Sequence, residues 1–327
     1  MTQPIISIIT ACYTANRLGD LKGLLDSVNQ QTFKNIEVLI VAERSRKLAN
    51  SIQNYLSERS YTCMQVLFNN GPPGICRSRN LAIGRAQGGI IGFADDDAIL
   101  DHDWAEETLR TYDEDDTIIG VAGPILPLWQ DKPLDWFPQE FYWIFSCLDM
   151  DVVEKTEVRN GYGTNLSFLR EAFESAGLFS ENLGVKGRAQ EGWQEPGAEE
   201  PELSLRVREK TGKRIIYNPM VRVQHRVYSY RNNNRFIARR AFWEGYAKAM
   251  LKHRHHFSQS QEKVLTTEYA LLRRILFGLI PKIGMSLFSQ PLRALRQSRV
   301  TIITLASVAA GFLSYKLNLS ARRGRTE

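Results

Sequence analysis

The feature that most constrains this chain is an alternation near its start. Ile5–Thr10 (IISIIT), Ile36–Val41, Cys63–Phe68, Ile90–Ala94 and Ile118–Ala122 each read as a short buried strand. Between them, Leu18–Asn29 carries Leu21, Leu24, Leu25 and Val28 at the i, i+3, i+4, i+7 spacing of one buried helix face. Lys47–Arg59, Ile75–Ala86 and Trp104–Tyr112 predict further helices, and Asn70-Gly71-Pro72-Pro73-Gly74 predicts a loop. Strands that alternate with helices assemble into a mostly parallel, doubly wound α/β sheet with right-handed crossovers. Ligands of such sheets collect at the carboxyl ends of the strands, so the residues that follow each run carry the functional signal.

The fourth run lies in GGIIGFADDDAIL (88–100) and ends on Asp95, Asp96 and Asp97. Adjacent like charges cost stability unless a cation or a water-rich cleft compensates them. Hard carboxylate oxygens suit Mg²⁺ or Mn²⁺, which carboxylates commonly share with substrate phosphates. An acidic turn ahead of the next helix, with Asp101 and Asp103, is the competing reading of the same residues. No GxGxxG follows the first strand and no GxxxxGK[ST] occurs, so dinucleotide oxidoreductases and P-loop enzymes lose support.

Charge divides the chain. Residues 1–202 hold 17 Lys+Arg and 31 Asp+Glu, a balance of −14, whereas residues 203–327 hold 25 and 5, a balance of +20. A basic C-terminal third suits anionic lipid, phosphorylated substrate or nucleic acid; the long apolar stretches within it disfavour nucleic acid. Four scattered cysteines (Cys12, Cys63, Cys76, Cys147) form no CxxC pair, which fits a reducing compartment, and MTQPIISIIT does not read as a signal peptide. The segment 124–150 is rich in aromatics and reads either as a sugar-stacking surface or as a hydrophobic subdomain. Residues 271–297, apolar with interspersed Arg and Lys, have the composition of an interfacial helix. Val300–Tyr315 is sixteen residues without a charge, short of the ~20 that cross a bilayer unaided, though snorkelling Arg299 and Lys316 extend it. A membrane anchor is the reading its basic flanks favour, and a buried packing helix the alternative.

Several blocks together resemble the family 2 glycosyltransferases. SIITACYTANR (7–17) is similar to that family's opening strand and loop, SVNQQT (27–32) to a helix end, and EVLIVAERS (37–45) to the strand that normally ends in two Asp residues. CRSRNLAIGRAQGGIIGFADDD (76–97), GTNLSF (163–168) and the block at 198–227 follow in the family's order. The resemblance covers roughly residues 4–246. It implies a GT-A fold, with a mostly parallel doubly wound sheet and a C-terminal helical appendage associating with the membrane. It divides the chain into a catalytic domain (1–230), a basic amphipathic helical region (231–299) and a short apolar helix with a basic tail (300–327).

The implied activity is inverting transfer of a sugar from a nucleotide-diphosphate donor, UDP by preference, to a hydroxyl of a glycan or lipid-linked saccharide. By the same resemblance Asp97 and Asp95 hold Mn²⁺ or Mg²⁺, with His225 as a further ligand, and a divalent ion neutralises the leaving diphosphate. Thr10, Ala11, Tyr13, Glu43, Arg79, Asn80, Asp95 and Asp96 face the nucleotide-sugar donor. Glu200 is the general base, with Glu199 beside it; both also read as acids at a helix N-terminus. Two positions depart from the pattern: Ala42-Glu43 stands where Asp-Asp is usual, and Glu199-Glu200 where Glu-Asp is common. A nucleotide-sugar-binding protein without catalysis is the alternative those departures leave open. The glycine-rich stretch 184–197, centred on Trp193, is expected to form a lid over the donor. The expected partners are donor, acceptor and an anionic membrane surface at the cytoplasmic face, as a peripheral or single-anchor protein, and no nucleic acid.

Overall fold

A computed structural model describes residues 5–59, 61, 63–184, 197–254 and 265–323, with side chains through residue 318. The chain opens with β1 (Ile6–Cys12), a 3-10 turn at Ala15–Arg17 and α1 (Leu18–Asn29), followed by β2 (Ile36–Glu43), α2 (Arg46–Glu58) and β3 (Met64–Asn69). Next come α3 (Ile75–Ile83), β4 (Ile90–Phe93), β5 (Ala98–Leu100), α4 (Trp104–Asp113), β6 (Ile118–Ala122) and β7 (Ile125–Trp129). Then follow β8 (Thr156–Val158), β9 (Leu166–Leu169), α5 (Arg170–Ala176), α6 (Glu199–Thr211), β10 (Arg214–Tyr217) and β11 (Val223–Val227). The C-terminal third is helical: α7 (Asn234–Arg254), α8 (Thr266–Arg274), a π-turn at Ile275–Leu279, α9 (Ile280–Ser289) and α10 (Pro291–Arg323).

The described residues fall into two compact units. The first comprises Met1–Leu128, Leu148–Gly187 and Glu199–Arg226. Its eight-stranded sheet has the order β3-β2-β1-β4-β9-β6-β10-β8. β1 pairs in parallel with β2 and β4, β2 with β3, and β10 with β6. β9 runs antiparallel between β4 and β6, and β8 antiparallel to β10. The sheet is thus mostly parallel, as the alternation predicts, but β9 enters it straight from the GTN turn without a crossover helix. The stripe Leu21, Leu24, Leu25 and Val28 of α1 is buried against one face of the sheet, beside Ile6, Ile8, Val38 and Ile40.

The sheet register aligns the strand ends. Cys12 lies beside Ala42, Ile9 beside Phe93, and Ala94 donates its N–H to the Ile9 carbonyl at 3.1 Å. The segment after β4 is fastened from the end of α1. Buried Gln31 donates to the Asp101 carbonyl at 2.7 Å and accepts from the Ala105 N–H at 2.9 Å, while Ser27 Oγ accepts from Leu100 N–H at 3.1 Å. The SVNQQT block is therefore a clamp on the loop that carries the acidic triplet. A small second sheet, β5-β11-β7, pairs His225 with Ala98 and so brings β11 back beside that triplet.

The second unit comprises the described residues of 129–147, 197–198 and 227–323. Phe137, Phe141, Ile144 and Phe145 are buried with Ile237, Ile275, Leu279 and Ile283. The aromatic stretch is thus a hydrophobic subdomain core rather than an open stacking surface. Along α7, Glu244 pairs with Arg240 at 3.1 Å and Lys248 at 3.0 Å, and Lys248 pairs with Glu268 of α8 at 2.9 Å. α7 and α10 approach so closely that a Cβ on Gly245 would strike the Val308 carbonyl, and one on Gly311 the Phe242 carbonyl. Among the described residues one helix, over Pro291–Asn318, is long and apolar enough to cross a membrane.

Candidate active site

Three strands of the first unit deliver the predicted residues to one edge of the sheet. β1 ends through Thr10 and Ala11 toward Tyr13, β2 ends on Glu43, and β4 runs into Asp95, Asp96 and Asp97. Ligand atoms of Asp95, Asp97 and His225 all lie within 4.8 Å of one another. His225 Nε2 is 3.2 Å from Asp97 Oδ1, and both side chains are almost fully enclosed. Two carboxylates and an imidazole form a hard-to-borderline donor set that fits Mn²⁺ or Mg²⁺. Asp96 stands outside that cluster. Its Oδ1 takes the Arg17 guanidinium at 3.1 Å, its Oδ2 is buried without a partner among the described residues, and burial with the Asp97 charge pushes its carboxyl up to about 7. Arg17 Nη1 also pairs with Asp97 Oδ2.

A second cation joins the triplet to the candidate base. Arg79, on α3, is 5% exposed and reaches Glu200 Oε1 at 2.8 Å, Asp95 Oδ1 at 3.7 Å and Glu199 Oε1 at 4.0 Å. Its guanidinium lies 5.5 Å from the Phe93 ring centroid and 5.4 Å from that of Phe179. Burial works against this charge, but Glu200, Asp95 and Glu199 outweigh burial and push the Arg79 pKa up. Glu199 and Glu200 form the first turn of α6, where the helix dipole favours acids. Glu200 Oε1 also accepts the Gly163 N–H at 3.2 Å, and Thr164 Oγ1 donates to Asp95 Oδ2. Gly163 has no room for a side chain: a Cβ there would land on Arg79 Nη2 and Glu200 Oε1.

The GTN turn is itself held rigidly. Asn165 accepts from Trp104 Nε1 at 2.8 Å and donates to the carbonyls of Pro124 at 2.9 Å and Val221 at 2.7 Å. Gly163 and Thr164 are thereby aimed at opposite ends of the Arg79 network.

Other predicted residues have quieter settings. Glu43 Oε1 accepts from Ser78 Oγ at 2.6 Å and from Gly74 N–H at 3.1 Å, tying the end of β2 to the start of α3. The Asn80 amide is taken up at both ends by the Phe179 backbone, at 2.9 and 3.0 Å, so it braces α3 instead of turning toward the triplet. Thr10 is buried, with its Oγ1 unbonded among the described residues, and Ala11 and Tyr13 are half-buried. Burial and the Asp96 charge push the Cys12 thiol up, and burial with the Glu199 charge does the same at Cys76. Of the stretch 184–197 expected to form a lid around Trp193, residues 185–196 lie outside the described residues. Arg17 was not legible as a site residue in the sequence, and Gly163 and Thr164 stood out only within the GTNLSF block. Arg17 offered only its place in the polar loop after β1.

Comparison with known proteins agrees with this geometry. The family model described as glycosyl transferase family 2 matches residues 7–177. The glucosyl-dolichyl phosphate glucuronosyltransferase of Haloferax volcanii is 30% identical over 247 residues, covering 75% of this chain and 77% of that protein. Among solved structures, the mannosyltransferase PcManGT from Pyrobaculum calidifontis, in complex with GDP-Man and Mn²⁺, superposes with a TM-score of 0.61 at 16% identity, over 97% of this chain and 88% of the other. GalNAc-T7 with UDP, GalNAc and Mn²⁺ gives a TM-score of 0.55 at 14% identity, over 83% and 54%. The fold is therefore GT-A. The chain belongs to glycosyl transferase family 2 and is a glycosyltransferase.

Proposed function

We propose that this glycosyltransferase moves a sugar, with inversion, from a nucleotide-diphosphate donor to a hydroxyl of a lipid-linked saccharide or related glycan. The observation that carries the reading is the single guanidinium of Arg79, which touches both the strand-tip carboxylate Asp95 and the helix-borne carboxylate Glu200. A transferase needs its leaving-group site and its base fixed relative to each other, because misplacement by about 1 Å can cost on the order of 10²-fold in rate.

Asp95, Asp97 and His225 would hold Mn²⁺ or Mg²⁺. A bound divalent ion supplies Lewis-acid neutralisation of the charge that develops on the departing diphosphate. Glu200 accepts the proton of the attacking hydroxyl, contributing about 10²–10⁴-fold, and Glu199 lies next to it in the same turn. Arg79 and the Gly163 N–H act as positioning groups by fixing Glu200 Oε1. Thr10, Ala11, Tyr13, Glu43 and Asp96 line the strand edge where the base and ribose would rest, with Asn80 bracing α3 behind them. Catalysis is assigned to residues 1–230 and attachment to an anionic membrane, at its cytoplasmic face, to residues 231–327. The likeness to a protein named for a dolichyl-phosphate saccharide supports a lipid-linked acceptor. UDP is the first donor base to test, with GDP second, since the two solved neighbours carry these nucleotides.

The test is a panel of nucleotide sugars with Mn²⁺ on the detergent-solubilised full chain, reading released nucleotide. Asp97→Asn should lower turnover by about 10²–10³-fold. Turnover equal to wild type would remove the metal assignment. Donor binding without transfer or hydrolysis for any nucleotide sugar would instead favour the non-catalytic reading.

A further inference from the structure

Exposed apolar side chains of the second unit run from the π-turn and α9 into α10, where Ile302 is 67% and Leu317 69% exposed. At the end of the α8–α9 rod and the start of α10, Phe277 is 77% exposed, Met285 69%, Phe288 96%, Leu292 74% and Leu295 59%. The opposite face of the same rod is anchored: Ile275, Leu279 and Ile283 are buried with Phe137, Phe141 and Phe145. Contiguous apolar surface of this kind marks an interaction site.

Two observations select the occupant. Residues 265–323 hold nine Lys or Arg and a single acid, Glu268, so the surface is complementary to an anionic partner. A hollow of about 580 Å³ beside Phe277 is lined by Tyr269, Arg273 and Arg274, which combines an apolar wall with the Arg273 guanidinium and that of Arg274, whose Nε lies 3.6 Å from Glu140 Oε1. Amphiphiles with acidic heads match both features, and a bilayer presents them as a plane.

The same unit argues against a membrane-crossing α10. Gly245 and Gly311 bring α7 and α10 into backbone contact at the middle of the apolar stretch. The Tyr246 and Tyr315 rings meet edge-on at 5.0 Å. A bilayer around α10 would carry α7 in with it, and α7 bears the Arg240–Glu244–Lys248 ladder at that level. Ionised groups at the bilayer centre are strongly disfavoured.

We propose that the protein sits on an anionic bilayer through the hairpin formed by the α8–α9 rod and the first turns of α10. Phe277 and Phe288 enter the lipid, and Arg273 and Arg274 engage lipid phosphates. α10 stays packed on α7 and does not cross. This rests on the membrane association assigned above but is independent of the chemistry at the strand edge.

Flotation of the full chain tests it, using vesicles of phosphatidylcholine with phosphatidylglycerol and vesicles of phosphatidylcholine alone. Phe277→Ser with Phe288→Ser alters two exposed rings and should leave thermal unfolding unchanged while weakening partition by about tenfold or more. Arg273→Gln with Arg274→Gln should reduce the preference for phosphatidylglycerol vesicles by several-fold. Ile302→Ser with Leu313→Ser, on the exposed side of α10, should float like wild type. Alkaline carbonate should release the wild-type protein from membranes. Retention in carbonate, unchanged flotation of the double-Phe variant, or conversion of a wild-type dimer to a monomer by that variant without loss of flotation would each overturn the proposal. Donor hydrolysis in detergent separates the two readings: loss of flotation with hydrolysis intact supports the hairpin, and absent hydrolysis with hairpin-dependent flotation sinks only the catalytic assignment.

Discussion

Two ion networks, one in each unit, are built on opposite plans. In α7 the charges alternate along one helix face: Arg240, Glu244, Lys248 and then Glu268 of α8, each 2.9–3.1 Å from the next. At the tip of β4 the carboxylates converge instead, with Asp95, Asp96 and Asp97 in sequence and Glu199 and Glu200 brought up from α6 around Arg79. Alternation satisfies charge within the protein. Convergence concentrates like charge around an imidazole and two guanidiniums, which is useful only if something cationic or phosphorylated arrives. The convergent network is also the more enclosed: the side chains of Asp96, Asp97, Arg79 and Glu199 are 2–8% exposed, against 12–26% for Arg240, Lys248, Glu244 and Glu268.

That contrast can be broken most forcefully at Gly163. Gly163→Ala puts a methyl group onto Arg79 and Glu200 and should lower kcat by about a hundredfold. KM for the donor should change less than kcat, because the atoms displaced first are those that hold the proposed base Glu200. A variant with wild-type kcat would show that the Arg79 bridge is not part of catalysis.

The strut should respond in stability rather than in rate. Burial opposes ionisation of Glu244, but Lys248 and Arg240 outweigh it and take the carboxyl down to about 2. A carboxylate whose folded pKa is depressed adds stability above the ordinary Glu range and loses it as pH falls toward the folded value. Glu244→Gln should therefore cost on the order of 1–3 kcal/mol near neutrality, with the gap from wild type closing as pH falls toward 2. Urea unfolding at stepped pH measures it, and a gap independent of pH would contradict the ladder. Donor hydrolysis by this variant should equal wild type.

The smallest effect is expected at Cys12, which lies beside Asp96 but outside the Asp95–Asp97–His225 cluster. Burial and the Asp96 charge keep it a thiol rather than a ligand. Cys12→Ala should change turnover by no more than about twofold. A large loss of Mn²⁺ affinity would place sulfur in the donor set after all.

Much of this architecture was legible because it rests on local periodicity. The stripe in α1 and the β-branched run of β6 fix those two elements to the residue, since each buries one repeating face. The triplet stood out by its place after a buried strand, though an acidic turn competed for the same residues, and His225 stood out only through the family resemblance. Long-range consequences were not. Nothing near Arg79 in sequence announces that Glu200 will meet it from α6, so the residue read as a donor contact, whereas its side chain is buried among carboxylates. Asn80 likewise looked outward until Phe179 accounted for both ends of its amide. Arg17 is invisible for the same reason: its partners are supplied by the sheet register, not by its neighbours.

The most direct test of the convergent site is Mn²⁺ titration of the full chain, followed by electron paramagnetic resonance in the absence of donor. Asp97→Asn and His225→Ala should each weaken the bound-ion signal by about tenfold or more, and Glu244→Gln should leave it unchanged. If Asp97→Asn binds Mn²⁺ as tightly as wild type, the strand tip is not the ion site and the contrast between the two networks has no functional meaning.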